Sequence, residues 1–157
     1  MITGQPGEVG FAADEINTAE PTRSARLKWI IVVDQALPAG RAVNAAVCVA
    51  SATGRAVAGL LGPDAKDGAG SVHAGLPWAG CSILGATTEQ LTDLRARAVG
   101  AEEVFVADMP SQAQSTRVYD EYLQQVSAAT EISYYAVSLV GPRNRIDKLA
   151  KKLSLLP

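Results

Sequence analysis

The segment Leu37-Pro38-Ala39-Gly40-Arg41-Ala42-Val43-Asn44 leads from a loop into the start of a predicted helix. The first N–H groups of a helix have no partner inside it, and the helix dipole makes that end positive. Gly40, Arg41 and Asn44 add a guanidinium fork and an amide, which together suit a phosphate or a carboxylate. The same residues also make an ordinary surface helix start, and both readings stand at this point. Asp34 and Asp108 each close an apolar run. Such an aspartate acts as a general base, orients one, or caps the next helix. Arg117, between Thr116 and Tyr119, either completes a basic pocket or is a solvated charge.

Other chemistry is poorly supplied. One histidine and two cysteines exclude a zinc finger, a multi-histidine metal centre and a disulfide scaffold, so no metal and no cofactor is expected. His73 lies in a glycine-rich loop with no carboxylate at a fixed catalytic spacing. Cys48 sits between Val47 and Val49 in a helical run, and Cys81 opens a strand, so both read as buried, inert thiols. No phosphate-loop pattern and no dinucleotide-binding glycine pattern occurs.

The elements that must position these residues alternate. Leu27 to Val33 is a β-branched run stopping at Asp34, apolar on both faces, and predicts a buried strand. A helix follows from Arg41 to Ala52, with Gly54 as its stop. Ala56 to Leu61 reads as a short strand or turn, Gly62 to Gly75 as loop, and Gly80 to Leu84 as the next strand. Thr87 with Gln90 gives a capping box ahead of Leu91, Leu94 and Ala98. Glu103 to Ala107 is a third strand. Pro110 and Ser111 with Gln114 start another helix by the same capping logic, with Val118, Tyr122 and Val126 on its stripe and Arg117 in its first turns. Tyr134 to Val140 is a final strand, and a last helix from Pro142 to Lys152 turns Ile146, Leu149, Ala150 and Leu153 inward. Strand–helix alternation of this kind predicts a three-layer α/β/α sandwich on a four-stranded, mixed, mostly parallel sheet. Ligands of such sheets sit beyond the carboxyl ends of the strands, where Asp34, Asp108 and the Gly40 turn fall.

The 157 residues make one domain, with 48% hydrophobic, 19% charged and only 5% aromatic residues. The core is therefore built from small and aliphatic side chains. Residues 1–25, rich in Gly, Pro and acids, predict an irregular arm ahead of a domain over 26–157; it is either a flexible tail or an arm laid over the surface or a partner subunit, with Phe11 and Ile16 available to dock it. No signal sequence or membrane span is expected, and two cysteines far apart fit the cytoplasm. A net charge of -2 argues against a broad nucleic-acid face. Arg143, Arg145, Lys148, Lys151 and Lys152 near the end form either a solubilising face or a local RNA contact.

Trp29 to Val33 followed by Leu37 to Cys48 resembles the first strand and helix of type II peptidyl-tRNA hydrolases, whose pattern there is Gly-Lys-Gly-Lys-Val-Ala-Ala-Gln-Cys. Val140-Gly141-Pro142 and Ile146-Asp147-Lys148-Leu149 look like that family's closing Gly-Pro and Ile-Asp-Lys-Val helix, and Asp108 matches its aspartate after the third strand. More narrowly, Gly62-Pro63-Asp64, Val106 to Pro110, Gln114 to Tyr119 and Val140 to Arg145 resemble the bacterial family called domain of unknown function 2000. The resemblance implies a peptidyl-tRNA hydrolase II-like fold and a homodimer. It also shows a departure, since the hydrolases' second lysine falls on Val43, their first on Arg41 and their glutamine on Val47.

Two functions are expected from this reading. One is a hydrolase of an ester or amide of an anionic substrate, with Asp108 catalytic and Gly40, Arg41, Asn44, Asp34 and Arg117 holding the anion. The alternative is a non-catalytic module that keeps the fold and binds a small anion or a protein. The expected partner is a small anionic ligand or acyl ester; RNA is disfavoured by the pI of about 5.4, and a membrane is not expected.

Overall fold

The computed structural model describes residues 8–157. Its central strand is β1 (Leu27–Asp34), which explains why that segment is apolar on both faces. Helix α1 (Ala39–Ala56) follows, then the two-residue strands β2 (Ala65–Lys66) and β3 (Val72–His73). Next come β4 (Ser82–Ala86), α2 (Thr88–Val99), β5 (Phe105–Pro110), α3 (Tyr119–Ala128), β6 (Tyr134–Pro142), α4 (Arg143–Leu149) and β7 (Ser154–Leu155). Five strands form one sheet in the order β5-β6-β1-β4-β7, while β2 and β3 make a separate small hairpin.

The side chains of β1 divide by strand alternation. Trp29, Ile31 and Val33 join Ala42, Ala45 and Val49 of α1 in one core cluster. Ile30 and Val32 join Leu91, Leu94 and Ala98 of α2 and Ile146 of α4 in another. The small residues of α1 turn a smooth stripe to the sheet, as the alanine-rich composition implies. Between α1 and the sheet lies a buried polar chain. Trp29 Nε1 donates to Ser138 Oγ at 2.8 Å, and Ser138 and Thr53 hydroxyls lie 2.7 Å apart. Thr53 also donates to the Val49 carbonyl at 2.7 Å.

The sheet is not mostly parallel and does not have four strands. Only β1 and β4 pair in parallel; β1–β6, β5–β6 and β4–β7 are antiparallel. Strand–helix alternation carries no information on direction, and here it misleads at β6. The chain between β5 and β6 is a looped excursion rather than a crossover: Pro110 faces Tyr134, and Ser111 N–H donates to the Ser133 carbonyl at 2.9 Å. The fifth strand, β7, is two residues long and carries no readable alternation. It forms because α4 ends at Leu149 rather than Lys152, which frees the last residues to pair with β4.

Local signals succeeded where their partners are local. The Thr87–Gln90 capping box forms in both directions. The same signal at Ser111 does not, because the Gln114 side chain reaches across to α1 instead of back to its own backbone. Ser111–Gln114 is a short 3-10 turn, and Arg117 lies in the bend before α3 rather than in a helix. Gly54 does not stop α1, which runs on through it to Ala56. Ala56 to Leu61 forms isolated bridges, Gly10 to Ala58 and Leu61 to Pro77, in place of a strand.

The segment ahead of β1 lies over the surface from residue 8 onward; Gly4, Pro6 and Gly7 fall outside the described residues. Phe11 is 5% exposed and packs on Trp78 with ring centroids 4.8 Å apart. Its N–H donates to the Ala58 carbonyl at 2.8 Å. Gly59 meets it at φ +72, and a Cβ there would lie 2.7 Å from the Phe11 carbonyl oxygen, so only glycine allows the approach. Arg26 holds Glu15 and the Gly10 carbonyl, and Arg143 donates to the carbonyls of Ala25 and Thr22. Among the described residues no helix is long and apolar enough to cross a membrane.

Candidate functional site

One face of α1 carries Arg41, Asn44, Cys48 and Ser51 at helical spacing. Opposite it stands the excursion between β5 and β6. Gln114 bridges the two: its Nε2 donates to the Arg41 carbonyl at 2.9 Å and to Asn44 Oδ1 at 3.2 Å, and its Oε1 accepts from Arg41 Nε at 2.9 Å. The Arg41 guanidinium also lies 5.5 Å over the Tyr135 ring. Arg41 and Asn44 are therefore together, but as a clasp between α1 and the excursion. Gly40 is exposed, with nothing within 4 Å of where a Cβ would stand, so no close backbone approach uses it.

Farther along the same face is a cleft of about 600 Å³. Val47, Cys48 and Ser51 of α1 form one wall, Asp108 and Met109 of the edge strand β5 another, and Thr116, Arg117, Tyr119 and Tyr122 the third. Asp108 is largely enclosed, and its Oδ2 accepts from Arg95 Nε of α2 at 3.2 Å. Arg95 in turn lies 5.4 Å over the Tyr134 ring. Burial, then the neighbouring Tyr119 and the Asp108 charge, push the Tyr122 hydroxyl above the usual tyrosine range. Tyr134 is raised chiefly by burial, with Arg95 pulling it down and Asp108 up. Tyr119 and Tyr122 meet edge to face at 5.4 Å. Arg117 is exposed and makes no hydrogen bond or ion pair among the described residues.

Arg117 and the end of β5 at Asp108 and Met109 thus both line the cleft, with the Asp108 carboxylate turned to Arg95 on the α2 side of the sheet, while the Arg41–Asn44 clasp borders the cleft along α1. Asp34 is elsewhere. It is 5% exposed, and its oxygens accept from the Ala36 N–H and the Thr88 hydroxyl, both at 2.9 Å. It lines a second cavity on the other flank of α1, together with Val43. Cys48 and Cys81 are not buried: both are exposed residues, Cys48 in the cleft wall. Desolvation nevertheless pushes the Cys81 thiol up to about 12. His73 is exposed, 3.2 Å from Asp67. Among the described residues no group of three His, Cys, Asp or Glu is placed to hold a metal.

Two residues of this site were missed in the sequence. Arg95 stands four residues after Leu91 and next to Leu94, so it borders the inward stripe of α2, and a charge at that edge was a usable signal. Ser111 with Gln114 has the spacing of a capping box, and nothing local distinguishes that use of Gln114 from the bridge to α1.

A sequence profile described as "Protein of unknown function (DUF2000)" matches residues 27–157. The chain belongs to the DUF2000 family. The matched span holds the whole sheet and every residue of the cleft, while the docked segment carrying Phe11 precedes it. Among solved structures, this DUF2000 chain is similar to a protein of unknown function from Agrobacterium tumefaciens, with a TM-score of 0.73 at 18% identity. The match covers 83% of this chain and 97% of that one, and at that identity the likeness is one of fold. No curated protein matches the DUF2000 chain.

Proposed function

We propose that the protein is a binding module for a small anion carrying an aromatic or apolar body, held in the Asp108–Arg117 cleft. The observation that carries this reading is the state of the charged groups. Arg41 is committed to Gln114 and Asp108 to Arg95, whereas Arg117 lines the cleft with no partner among the described residues. Arg117 is thus the charged side chain of the cleft left without a partner among the described residues, in a molecule whose net charge is -2. Tyr119 and Tyr122 supply ring faces for the body of the ligand and hydroxyls for its polar atoms. The fold proposed with it is the three-layer, peptidyl-tRNA hydrolase II-like one, and the compartment is the cytoplasm. RNA fits less well, because Arg143 and Arg145 are engaged with backbone carbonyls.

Thermal-shift measurement with phenyl phosphate, benzoate and inorganic phosphate tests this reading. A ligand at a hundred times its Kd adds about 2.7 kcal/mol, a rise of roughly 5–10 °C in Tm for a chain of this size. Arg117→Ala is expected to abolish the rise without changing the Tm of the free protein. A flat response to all three probes overturns the reading.

A second reading, hydrolysis, is favoured by one detail. Arg95 takes only Oδ2 of Asp108, and Oδ1 has no partner among the described residues, so it can hold a water. Release of peptide from peptidyl-tRNA that is lost in Asp108→Asn supports it; release no greater than a heat-killed control rejects it. The hydrolases' lysine position is Val43, which does not line this cleft. Val43→Lys is therefore expected to leave any release unchanged.

A further inference from the structure

Three of the chain's five lysines, Lys148, Lys151 and Lys152, line one cavity between α2 and the end of α4. Its volume is about 410 Å³, within the range of small-molecule sites, roughly 300–1,000 Å³. Two contacts set how its walls run. Arg145 donates to the Glu102 carbonyl, and Arg97 of α2 donates to the Leu149 carbonyl at 3.2 Å. α4 and the turn after it therefore run back along α2, which brings the lysines beside Arg97 and Gln90.

The charge of this lining is one-sided. Its one acid is Asp93, already paired with Arg97 at 2.8 Å. The three lysines are exposed and make no ion pair among the described residues. Three unpaired cations thus meet at one place in a molecule of net charge -2. The floor beneath them is apolar: Leu94 is fully buried, and Leu149 and Leu153 pack on the same core cluster. The positive stretch is also short. Farther back along α4, Asp147 holds Lys28, and Arg145 and Arg143 hold backbone carbonyls.

Ammonium groups on flexible stems close readily on phosphate oxygens, and hydrogen bonds between ionised groups are the strong ones. An apolar floor favours burial of a ring or hydrocarbon. A short positive stretch over such a floor suits a small ligand better than a long polyanion. We propose that this cavity binds a small organic polyphosphate, with its phosphates on Lys148, Lys151 and Lys152 and its ring or apolar body on Leu149 and Leu153. The site is separate from the Arg117 cleft, which offers a single unpaired cation.

Titration calorimetry with ATP, inorganic triphosphate and adenosine, without added magnesium, tests this. ATP is expected to bind, triphosphate about tenfold more weakly because it leaves the leucines uncovered, and adenosine not at all in the same range. Lys151→Gln combined with Lys152→Gln is expected to weaken ATP about tenfold or more and to keep the Tm, since both side chains are exposed. Lys66→Gln, at an exposed lysine elsewhere, is expected to change nothing. Arg117→Ala is expected to keep ATP binding, which separates failure here from failure of the anion cleft. No heat with ATP, triphosphate bound as tightly as ATP, or full ATP affinity in the double lysine variant each overturns the proposal. Loss of ATP in Arg117→Ala also overturns it, by placing the polyphosphate in the other cleft. So does a short oligouridylate that binds more tightly than ATP, for then the lysines belong to an RNA surface.

Discussion

Ser138 is fully buried in a strand that is otherwise apolar, and one assignment of hydrogens satisfies its whole chain. The Trp29 N–H donates to Ser138, Ser138 donates to Thr53, and Thr53 donates to the Val49 carbonyl. Ser138→Ala leaves the indole N–H without an acceptor and is expected to cost roughly 1–3 kcal/mol. Urea denaturation checks it, as a lower midpoint with an unchanged slope. The serine is plain in the sequence, but its role is not, because its partners lie 109 and 85 residues away. The two thiols differ in setting, Cys48 standing in the cleft wall and Cys81 desolvated beside β1. With its pKa pushed up to about 12, Cys81 holds almost no thiolate at neutral pH. Iodoacetamide is expected to label Cys48 first, by about tenfold or more, as mass spectrometry of the digested protein would show. A ligand in the anion cleft should then shield Cys48.

Among the elements, the segment before β1 is the one whose attachment should respond to acid. The Arg26 hydrogen bond, and after it the Ala12 N–H, hold the Glu15 carboxyl below its usual value of 4.5. A carboxyl with a lowered folded pKa stabilises above its unfolded value, and that contribution is lost as the pH falls through the folded one. The segment is therefore expected to stay docked at neutral pH and to loosen only below about 4.5. Hydrogen exchange at Phe11 and Ala12 measures this, and Glu15→Gln should remove the acid dependence. At neutral pH that change costs under about 1 kcal/mol, because the pair is partly solvated. Phe11 and Ile16 were readable as the large apolar residues able to dock the segment, while its composition left a flexible tail equally open. The direction of β6 was not, because periodicity reports which face of an element is apolar and is silent on which way the chain runs through it.

For the molecule as a whole, β1 gives alternate side chains to both core clusters, so neither can be lost while the other remains intact. Heating is expected to produce one calorimetric transition. Phe11→Ala, outside the family span, should lower that same transition by roughly 3 kcal/mol instead of splitting off a separate one. Two transitions would show that the segment ahead of β1 is a unit of its own. The acidic balance of the chain is compatible with the proposed anion site, because such a site needs only one unpartnered arginine and not a basic surface. That the fold is α/β followed from strand and helix patterns that are each complete within a few residues, whereas the fifth strand and the mainly antiparallel pairing did not. The cleft did not, since its walls come from α1, β5 and the stretch before α3, which only the tertiary fold brings together.

The Ser111–Ser133 hydrogen bond has a consequence for inheritance and for engineering. A stretch whose two ends meet can be lengthened, shortened or replaced without moving the strands that carry it, and loop closure charges little for extra length. Residues 111–133 supply one wall of the cleft, Thr116, Arg117, Tyr119 and Tyr122 among it. A transplanted stretch from another member of the family would thus arrive with its own ligand preference, and β5 and β6 would hold it in register unchanged.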